Sequence, residues 1–257
     1  MSSTPAIQFK NVTKEYHVEN PVQGGVKNLL LHLPAQLRAM RQRQLFCALR
    51  DLNLEIAPGE SVSVIGRNGA GKSTLLGLIA GVLRPSAGTV TTRGRICPLL
   101  ELGAGFHSDL TGRENIVLNG ILLGLTRHEV LTRLDEIIDF SGLAQFVDRP
   151  LRTYSSGMTA RLGFSVAVHL SPNILLVDEA LAVGDMEFQQ KCLARMQQFR
   201  SDSVTMVFVS HDMHSVARIS DRVAWMDSGR LVEIGPPAEV IEHFRAFVDP
   251  AGSAAAA

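Results

Sequence analysis

The sequence is poor in the features that mark several common protein classes. It has three cysteines, Cys47, Cys97 and Cys192, which are far apart and form no C-x-x-C pair. We therefore expect neither a zinc site nor a disulfide framework, and we predict a reducing compartment such as the cytosol. Lysine and arginine together number 25, as do aspartate and glutamate, so the formal net charge is zero. Because nucleic-acid-binding proteins usually carry excess positive charge, we predict that no nucleic acid is bound.

Long apolar runs are also missing from the chain. A membrane-spanning helix needs about 20 consecutive apolar residues, and the best candidate, residues 116–125, is shorter and contains Asn119. No secretory signal is recognisable at the start. We therefore expect a chain that is soluble by itself and reaches any membrane through a partner. A length of 257 residues suits one α/β domain with a subdomain, and residues 249–257 are predicted to form a flexible tail.

The most informative segment present is residues 66–74, GRNGAGKST, which has the G-x-x-x-x-G-K-S spacing of a phosphate loop. An apolar run at 62–65 predicts a buried parallel strand before it, and residues 73–81 have the apolar spacing of a helix after it. Glycines let backbone N–H groups approach phosphate oxygens, and the helix N-terminus attracts the same anion. The residues predicted to bind the nucleotide here are Gly66, Asn68, Gly69, Ala70, Gly71, Lys72, Ser73 and Thr74.

Two side chains of this loop have distinct predicted roles. Lys72 is expected to place its ammonium group near the β- and γ-phosphates, and Ser73 to offer its hydroxyl to Mg²⁺. A glycine-rich turn before an ordinary helix is the alternative, but it would not require lysine and serine at these offsets.

A second site is predicted where the apolar run 174–177 ends in Asp178 and Glu179. An acid at the carboxyl end of a strand can lie beside a phosphate loop and hold Mg²⁺, which suits Asp178. Glu179 can accept the proton of an attacking water. The alternative is an ordinary strand end with two solvated carboxylates.

A third segment, Tyr154-Ser155-Ser156-Gly157-Met158, precedes a stretch of periodic apolar residues. Small residues at a helix start can offer N–H groups to a phosphate. The alternative is that a serine here caps a core helix.

The apolar pattern also predicts elements outside these motifs. Residues 7–12 alternate apolar and polar side chains, which predicts a half-buried strand ending at 14–16, and the strand pattern resumes at 52–56. We predict a strand pair at 89–96 and helices at 112–123 and 127–141. Further along, we predict a helix at 213–219 and a turn at 227–229 between the last two strands.

Together these motifs resemble those of ATP-binding cassette (ABC) ATPases. Residues 66–74 match the Walker A motif of that family, and residues 174–179 match its Walker B motif. Residues 154–158 resemble the family's Leu-Ser-Gly-Gly-Gln signature, and they keep Ser155 and Gly157 while departing from it at the other three positions.

The resemblance implies roles for four further residues. Residues 182–185 resemble the family's D-loop and keep its terminal Asp185, and His211 matches the switch histidine that contacts the γ-phosphate. Tyr16 stands where such cassettes place an aromatic residue that stacks on adenine, with a core tyrosine as the alternative. The Q-loop glutamine of the family is missing, and Glu101 is the residue expected near Mg²⁺ in its place.

The fold implied by the resemblance is an α/β P-loop NTPase (RecA-like) core with an antiparallel β-subdomain and an inserted α-helical subdomain. Residues 1–248 would form this ABC ATPase domain, with the helical subdomain at about 97–170. Residues 17–46 are predicted to be a helical insertion. Because its arginines lie beside apolar helical faces, the insertion is either a membrane-proximal element or a solvated surface helix.

Within the family, the stretches 100–107, 110–115 and 154–158 and the long insertion before Ala48 resemble nucleotide-binding subunits of bacterial polysaccharide exporters, and those for O-antigen most of all. Capsule and teichoic acid are the other cargoes of that group. The resemblance implies ATP and Mg²⁺ as cofactors, a head-to-tail homodimer of cassettes, two copies of a separate transmembrane permease, and a lipid-linked polysaccharide as cargo. It places the chain at the cytoplasmic face of the inner (cytoplasmic) membrane, bound through the permease. A cassette for another cargo and a soluble cassette ATPase outside transport are the alternatives.

Overall fold

The computed structural model describes residues 4–18, 44–99, 103–170, 172–178 and 184–249. These residues form two β-sheets and a set of helices. In chain order the strands are β1 (Ile7–Val18), β2 (Gln44–Ile56), β3 (Ser61–Ile65), β4 (Ala87–Thr92), β5 (Ile96–Leu99), β6 (Ile174–Asp178), β7 (Thr205–Val209), β8 (Arg222–Asp227) and β9 (Arg230–Gly235). The helices are α1 (Lys72–Ile79), α2 (Gly112–Leu122), α3 (Arg127–Thr132), α4 (Leu134–Ser141), α5 (Ser156–Val168), α6 (Met186–Ser201), α7 (Met213–Ile219) and α8 (Pro237–Val248), and Leu151–Thr153 forms a 3-10 turn.

The smaller sheet is antiparallel, with strand order β2-β1-β4. The alternating pattern predicted at the start of β1 is present, because Ile7 and Phe9 are buried on one face while Lys10 is exposed. β1 runs past the predicted end at residues 14–16, and β2 begins at Gln44 rather than at Leu52.

The predicted helical insertion at 17–46 is therefore wrong at both ends. Residues 17–18 and 44–46 belong to the β1–β2 ladder, in which Val18 pairs with Gln44, and Leu45 is in a strand rather than a helix. This pairing joins segments that are distant in sequence, so local apolar spacing could not reveal it. The rest of the predicted insertion, residues 19–43, lies outside the described residues.

The larger sheet has strand order β5-β6-β7-β3-β8-β9, and it is parallel except for the β8–β9 hairpin. β3 and β7 are buried along their whole length. β7 is apolar from Met206 to Val209, as parallel strands covered on both faces usually are, whereas β3 also buries two small polar residues, Ser61 and Ser63.

Two predicted boundaries near β5 are also wrong. Residues 89–96 were predicted as one strand pair, but β4 and β5 lie in different sheets, since β5 pairs in parallel with β6. For the same reason residues 97–99 belong to the parallel sheet and not to the helical subdomain predicted from 97 to 170. The helices of that subdomain begin with α2 at Gly112.

The helical region has well-defined starts and a shared core with the sheet. Thr111 and Glu114 form a capping box at α2, and Thr126 and Glu129 form another at α3. The single helix predicted for 127–141 is divided into α3 and α4. Aromatic rings of α4, α5 and α6 meet edge-on or stacked, with centroids 5.8 to 6.3 Å apart.

Within the described ranges, no helix combines the length and hydropathy of a membrane-spanning segment.

Candidate nucleotide-binding site

Three parallel strands bring the predicted site residues to one edge of the larger sheet. β7 lies between β3 and β6, and all three run in the same direction. β3 leads into the phosphate loop, β6 ends at Asp178, and the turn after β7 carries His211. Since ligands of such sheets bind at the carboxyl ends of the strands, this edge is the expected position for a site.

A cavity of about 260 Å³ lies at this edge. It brings together most of the phosphate-loop residues predicted from sequence, together with Asp178 and His211. Its lining consists of Phe46, Ala48, Asn68, Gly69, Gly71, Lys72, Ser73, Thr74, Asp178, Val209 and His211.

Close backbone contacts explain two glycines of the phosphate loop. Gly66 has φ of 152°, and a Cβ there would collide with the carbonyl oxygen of Met226. Gly71 has φ of 100°, and its Cβ would lie 2.7 Å from the carbonyl oxygen of Ala48. Both positions thus combine a backbone conformation that favours glycine with a lack of room for any side chain.

Lys72 is the first residue of α1, and its side chain folds back over the loop. The residue is 8% exposed, and Nζ donates hydrogen bonds to the carbonyl oxygens of Gly66 at 2.8 Å and Arg67 at 3.1 Å. There is no acidic residue in the first turn of α1. The ammonium group and the helix N-terminus therefore both direct positive potential toward the cavity, which suits a phosphate group.

The cavity also contains oxygen donors that suit Mg²⁺. Ser73 is exposed and Asp178 is half-buried, and both line the cavity that contains Lys72. A hydroxyl and a carboxylate are ligands that Mg²⁺ takes together with phosphate oxygens and water. These residues thus fit the predicted metal, whereas Glu101, the third predicted ligand, lies outside the described residues.

Phe46 is a site residue that the sequence analysis missed. Its ring is on β2, is 54% exposed and lines the cavity. Tyr16, predicted to stack on adenine, is its direct cross-strand partner on β1 and is half-buried, with the Lys14 ammonium 5.0 Å from the centroid of its ring. Tyr16 does not itself line the cavity. Residues opposite each other in a ladder share a face, so both rings lie on the same side of the sheet.

The signature-like residues 154–158 lie at the start of α5 and do not line this cavity. Ser155 is the N-cap of α5, and its Oγ accepts a hydrogen bond from the backbone N–H of Met158 at 3.2 Å. Ser155 therefore caps a helix, which is the alternative that the sequence allowed. The Tyr154 hydroxyl donates to the carbonyl oxygen of Phe146 at 2.8 Å, and partial burial raises the pKa of this phenol.

Asp185 and Glu179 are the two remaining predicted residues. Asp185 is the N-cap of α6, where Oδ1 accepts a hydrogen bond from the backbone N–H of Phe188 at 2.9 Å, and it does not line the cavity. Glu179, the predicted base, lies outside the described residues. Its neighbour along the chain, Asp178, is the last residue of β6.

Comparisons with known proteins give a family match and relatives of known name. The family model for ABC transporters matches residues 49–182. The O-antigen export system ATP-binding protein RfbB of Klebsiella pneumoniae is 51% identical over 94% of this chain and 98% of that protein. The teichoic acids export ATP-binding protein TagH of Lactiplantibacillus plantarum is 38% identical over 96% of this chain and 66% of that protein.

Solved structures share the fold. An ATP-binding cassette whose structure is a dimeric post-hydrolysis state bound to ADP and Pi superposes with a TM-score of 0.70 at 22% identity, covering 90% of this chain and 98% of that one. The family match covers the phosphate loop, the signature-like segment and Asp178. The chain therefore belongs to the ABC transporter family, as one of its ATP-binding cassette ATPases.

Proposed function

We propose that this cassette is the ATP-hydrolysing subunit of an exporter that moves a lipid-linked polysaccharide across the cytoplasmic membrane, with O-antigen as the cargo. The observation that carries the proposal is the 51% identity to an O-antigen export ATP-binding protein along 98% of that protein's length. The second candidate cargo is teichoic acid, which is favoured by the 38% identity to a teichoic acid export protein.

ATP binding would begin at the phosphate loop. The N–H groups at the start of α1 and the Lys72 ammonium supply hydrogen bonds to the phosphates, and each charge-assisted bond contributes about 1.5–3 kcal/mol. Ser73 and Asp178 would hold Mg²⁺, which neutralises phosphate charge when bound. Glu179 would accept the proton of the attacking water. His211, in the turn after β7, would contact the γ-phosphate.

A head-to-tail pair of cassettes would complete each site. The phosphate loop and residues 154–158 lie in different parts of the chain, and the latter do not line the cavity beside Lys72. A second copy can bring its own signature-like segment to that cavity, so that ATP lies between two subunits. ATP would then favour the dimer, and hydrolysis would release it.

Transport itself would occur in two copies of a transmembrane permease, which would hold the cassettes at the cytoplasmic face of the membrane. An apolar groove of about 430 Å³ runs between the core and the helical region, with Leu83, Leu99, Ala104 and Leu123 in its lining. Val82, also in the lining, is 77% exposed. This groove would accept an apolar segment of the permease, because its lining is mostly apolar.

Deleting the gene from a strain that makes O-antigen tests the proposal. We expect lipid-linked O-antigen to accumulate on the cytoplasmic side of the cytoplasmic membrane, and we expect a plasmid-borne copy of the wild-type gene to restore export. Lys72→Ala should fail to restore it. Lys191→Ala is the matched control, since Lys191 is a surface residue whose Nζ lies 2.9 Å from Glu187 on the same helix. Accumulation of teichoic acid or capsule would overturn the assignment of O-antigen as the cargo. Normal export in the deletion strain would overturn the whole proposal.

A further inference from the structure

We propose that Arg161 is a positioning residue that fixes the start of α5, with its signature-like residues, to Asp185 at the start of α6. The inference rests on the proposed head-to-tail dimer, because only there do both segments meet a partner cassette. Arg161 would present them to the partner as one unit.

Each nitrogen of the Arg161 guanidinium has a defined acceptor. Nη1 lies 3.2 Å from Oδ2 of Asp185, while Nε and Nη2 donate to the carbonyl oxygen of Ser141 at 3.0 and 2.7 Å. Ser141 is the last residue of α4, so this carbonyl belongs to a helix C-terminus, which favours a cation. The rigid planar fork of arginine allows one side chain to serve both acceptors.

The surroundings of Arg161 are shaped to hold this conformation. Its guanidinium lies 5.0 Å from the centroid of the buried Phe188 ring, within cation–π range. A Cβ on Gly142 would lie 2.5 Å from Nη2, and a Cβ on Gly184 would lie 3.2 Å from Cγ. The neighbouring glycines thus leave room for this side chain on two sides.

Asp185 is held from two directions at once. Oδ1 caps α6 by accepting the N–H of Phe188, and Oδ2 accepts Nη1 of Arg161. The Arg161 side chain is 22% exposed and that of Asp185 is 62% exposed. An ion pair so open to solvent adds little to stability. Its geometric effect is larger, because Asp185 cannot shift relative to α5 without losing the bond to Arg161 or the cap of α6.

Arg195 provides a matched control within the same chain. Its Nε and Nη2 donate to the carbonyl oxygen of Val168 at the end of α5, at 3.2 and 3.0 Å. Nη1 donates to the side chain of Gln198, and the guanidinium lies 4.7 Å from the centroid of the Phe199 ring. Arg195 therefore has the same kinds of contact as Arg161 without joining α5 to Asp185.

The test uses the full chain carrying Glu179→Gln, so that bound ATP persists. Dimerisation is followed by analytical ultracentrifugation against ATP concentration, Mg-ATP binding to the monomer by titration, and stability by thermal unfolding. Arg161→Ala is expected to bind Mg-ATP within about twofold of the parent but to need about tenfold more ATP for dimerisation. Arg195→Ala should lower the melting temperature to a similar degree and dimerise as the parent does.

Two further variants separate positioning from a loss of stability. Arg161→Lys keeps the charge but cannot reach Ser141 and Asp185 together, so dimerisation should remain impaired even though the chain folds. Combining Arg161→Ala with Asp185→Asn should add nothing to the effect of either alone. Parent-like dimerisation of both Arg161 variants, an equal loss in Arg195→Ala, or additive effects would overturn the inference. A parent that binds Mg-ATP and never dimerises would overturn the proposed dimer, and the inference with it.

Discussion

The carbonyl oxygen of Ala48 lies 2.7 Å from the position that a Cβ on Gly71 would occupy, and a Cβ on Gly229 would lie at the same distance from that oxygen. The backbone N–H of Gly229 also donates to the carbonyl oxygen of Ala70 at 3.2 Å. Strand β2, the phosphate loop and the β8–β9 turn therefore contact one another through backbone atoms, and the smaller sheet directly supports the nucleotide site.

This contact predicts different effects of adding a methyl group at two positions of the phosphate loop. Gly71→Ala and Gly69→Ala both place alanine at a positive φ, which costs about 1–3 kcal/mol. At Gly71 the Cβ also meets backbone that cannot move aside, so we expect a further loss of about 1–3 kcal/mol in the free energy of unfolding. No atom lies within 4 Å of the corresponding position at Gly69. Equal losses in denaturant unfolding would contradict this account.

Phe46 is predicted to contact the base of the bound nucleotide. Stacking between a base and an aromatic ring contributes about 1–3 kcal/mol, so Phe46→Ala should raise the dissociation constant of ATP by about 5- to 150-fold. The turnover number should change little, because the ring supplies neither charge nor a hydrogen-bonding group to the reacting phosphate. Leu45→Ala is the control, since Leu45 is 53% exposed on the same strand and does not line the cavity. If Tyr16→Ala weakens binding and Phe46→Ala does not, Tyr16 is the base contact instead.

Glu179→Gln is predicted to bind Mg-ATP as the parent does and to lose most of its hydrolysis. The amide cannot accept the proton of the attacking water, and loss of a general base lowers turnover by about 10²- to 10⁴-fold. Phosphate release and ATP binding are the two measurements. Glu187→Gln is the control, because Glu187 is paired with Lys191 on the surface of α6. Turnover near that of the parent would exclude Glu179 as the base.

The ion pair between α8 and β9 predicts a stability that depends on pH. Nδ1 of His243 lies 2.9 Å from Oε2 of Glu233, and the hydrogen bond with this carboxylate raises the pKa of His243. Because the folded pKa is above the unfolded one, the stabilisation is fully present below about pH 6.5. It is lost as pH rises through the folded value.

We therefore expect wild type to have a higher melting temperature than His243→Gln at mildly acidic pH. The difference should shrink toward alkaline pH. The difference in melting temperature between wild type and Glu233→Gln should depend on pH in the same way. Added salt should reduce both differences, because both side chains are at the surface. A difference that is constant from acid to alkaline pH would show that the pair does not stabilise the fold through the histidine charge.

The chemistry of this protein could be predicted where the residues responsible for it are contiguous in the sequence. Residues 66–74 have a spacing whose function depends on neighbouring backbone groups, so the loop and the helix after it are recognisable without any tertiary information. The helix predicted at Met213–Ile219 has the observed bounds, since Asp212 provides a local N-cap. The turn predicted at 227–229 joins β8 to β9 as expected.

Where distant segments must meet, the sequence was less informative. Phe46 lay at the end of the predicted insertion 17–46 and was not predicted as a site residue, because its place in the site depends on pairing with Tyr16 from a remote strand. The role of Asp185 as a helix cap and its bond to Arg161 were likewise not predicted, whereas a serine cap before α5 was one of the two interpretations that the sequence allowed.

A phosphate loop, an acidic strand end and a cassette-like order of motifs are recognisable in the sequence, because each depends on residues that are close along the chain. Which of these residues share a cavity depends on the fold. The order of β6, β7 and β3 brings Asp178 and His211 to Lys72, while the ladder between β1 and β2 brings Phe46 there. Strand order and register arise from hydrogen bonds and burial between remote segments, and no local spacing encodes them.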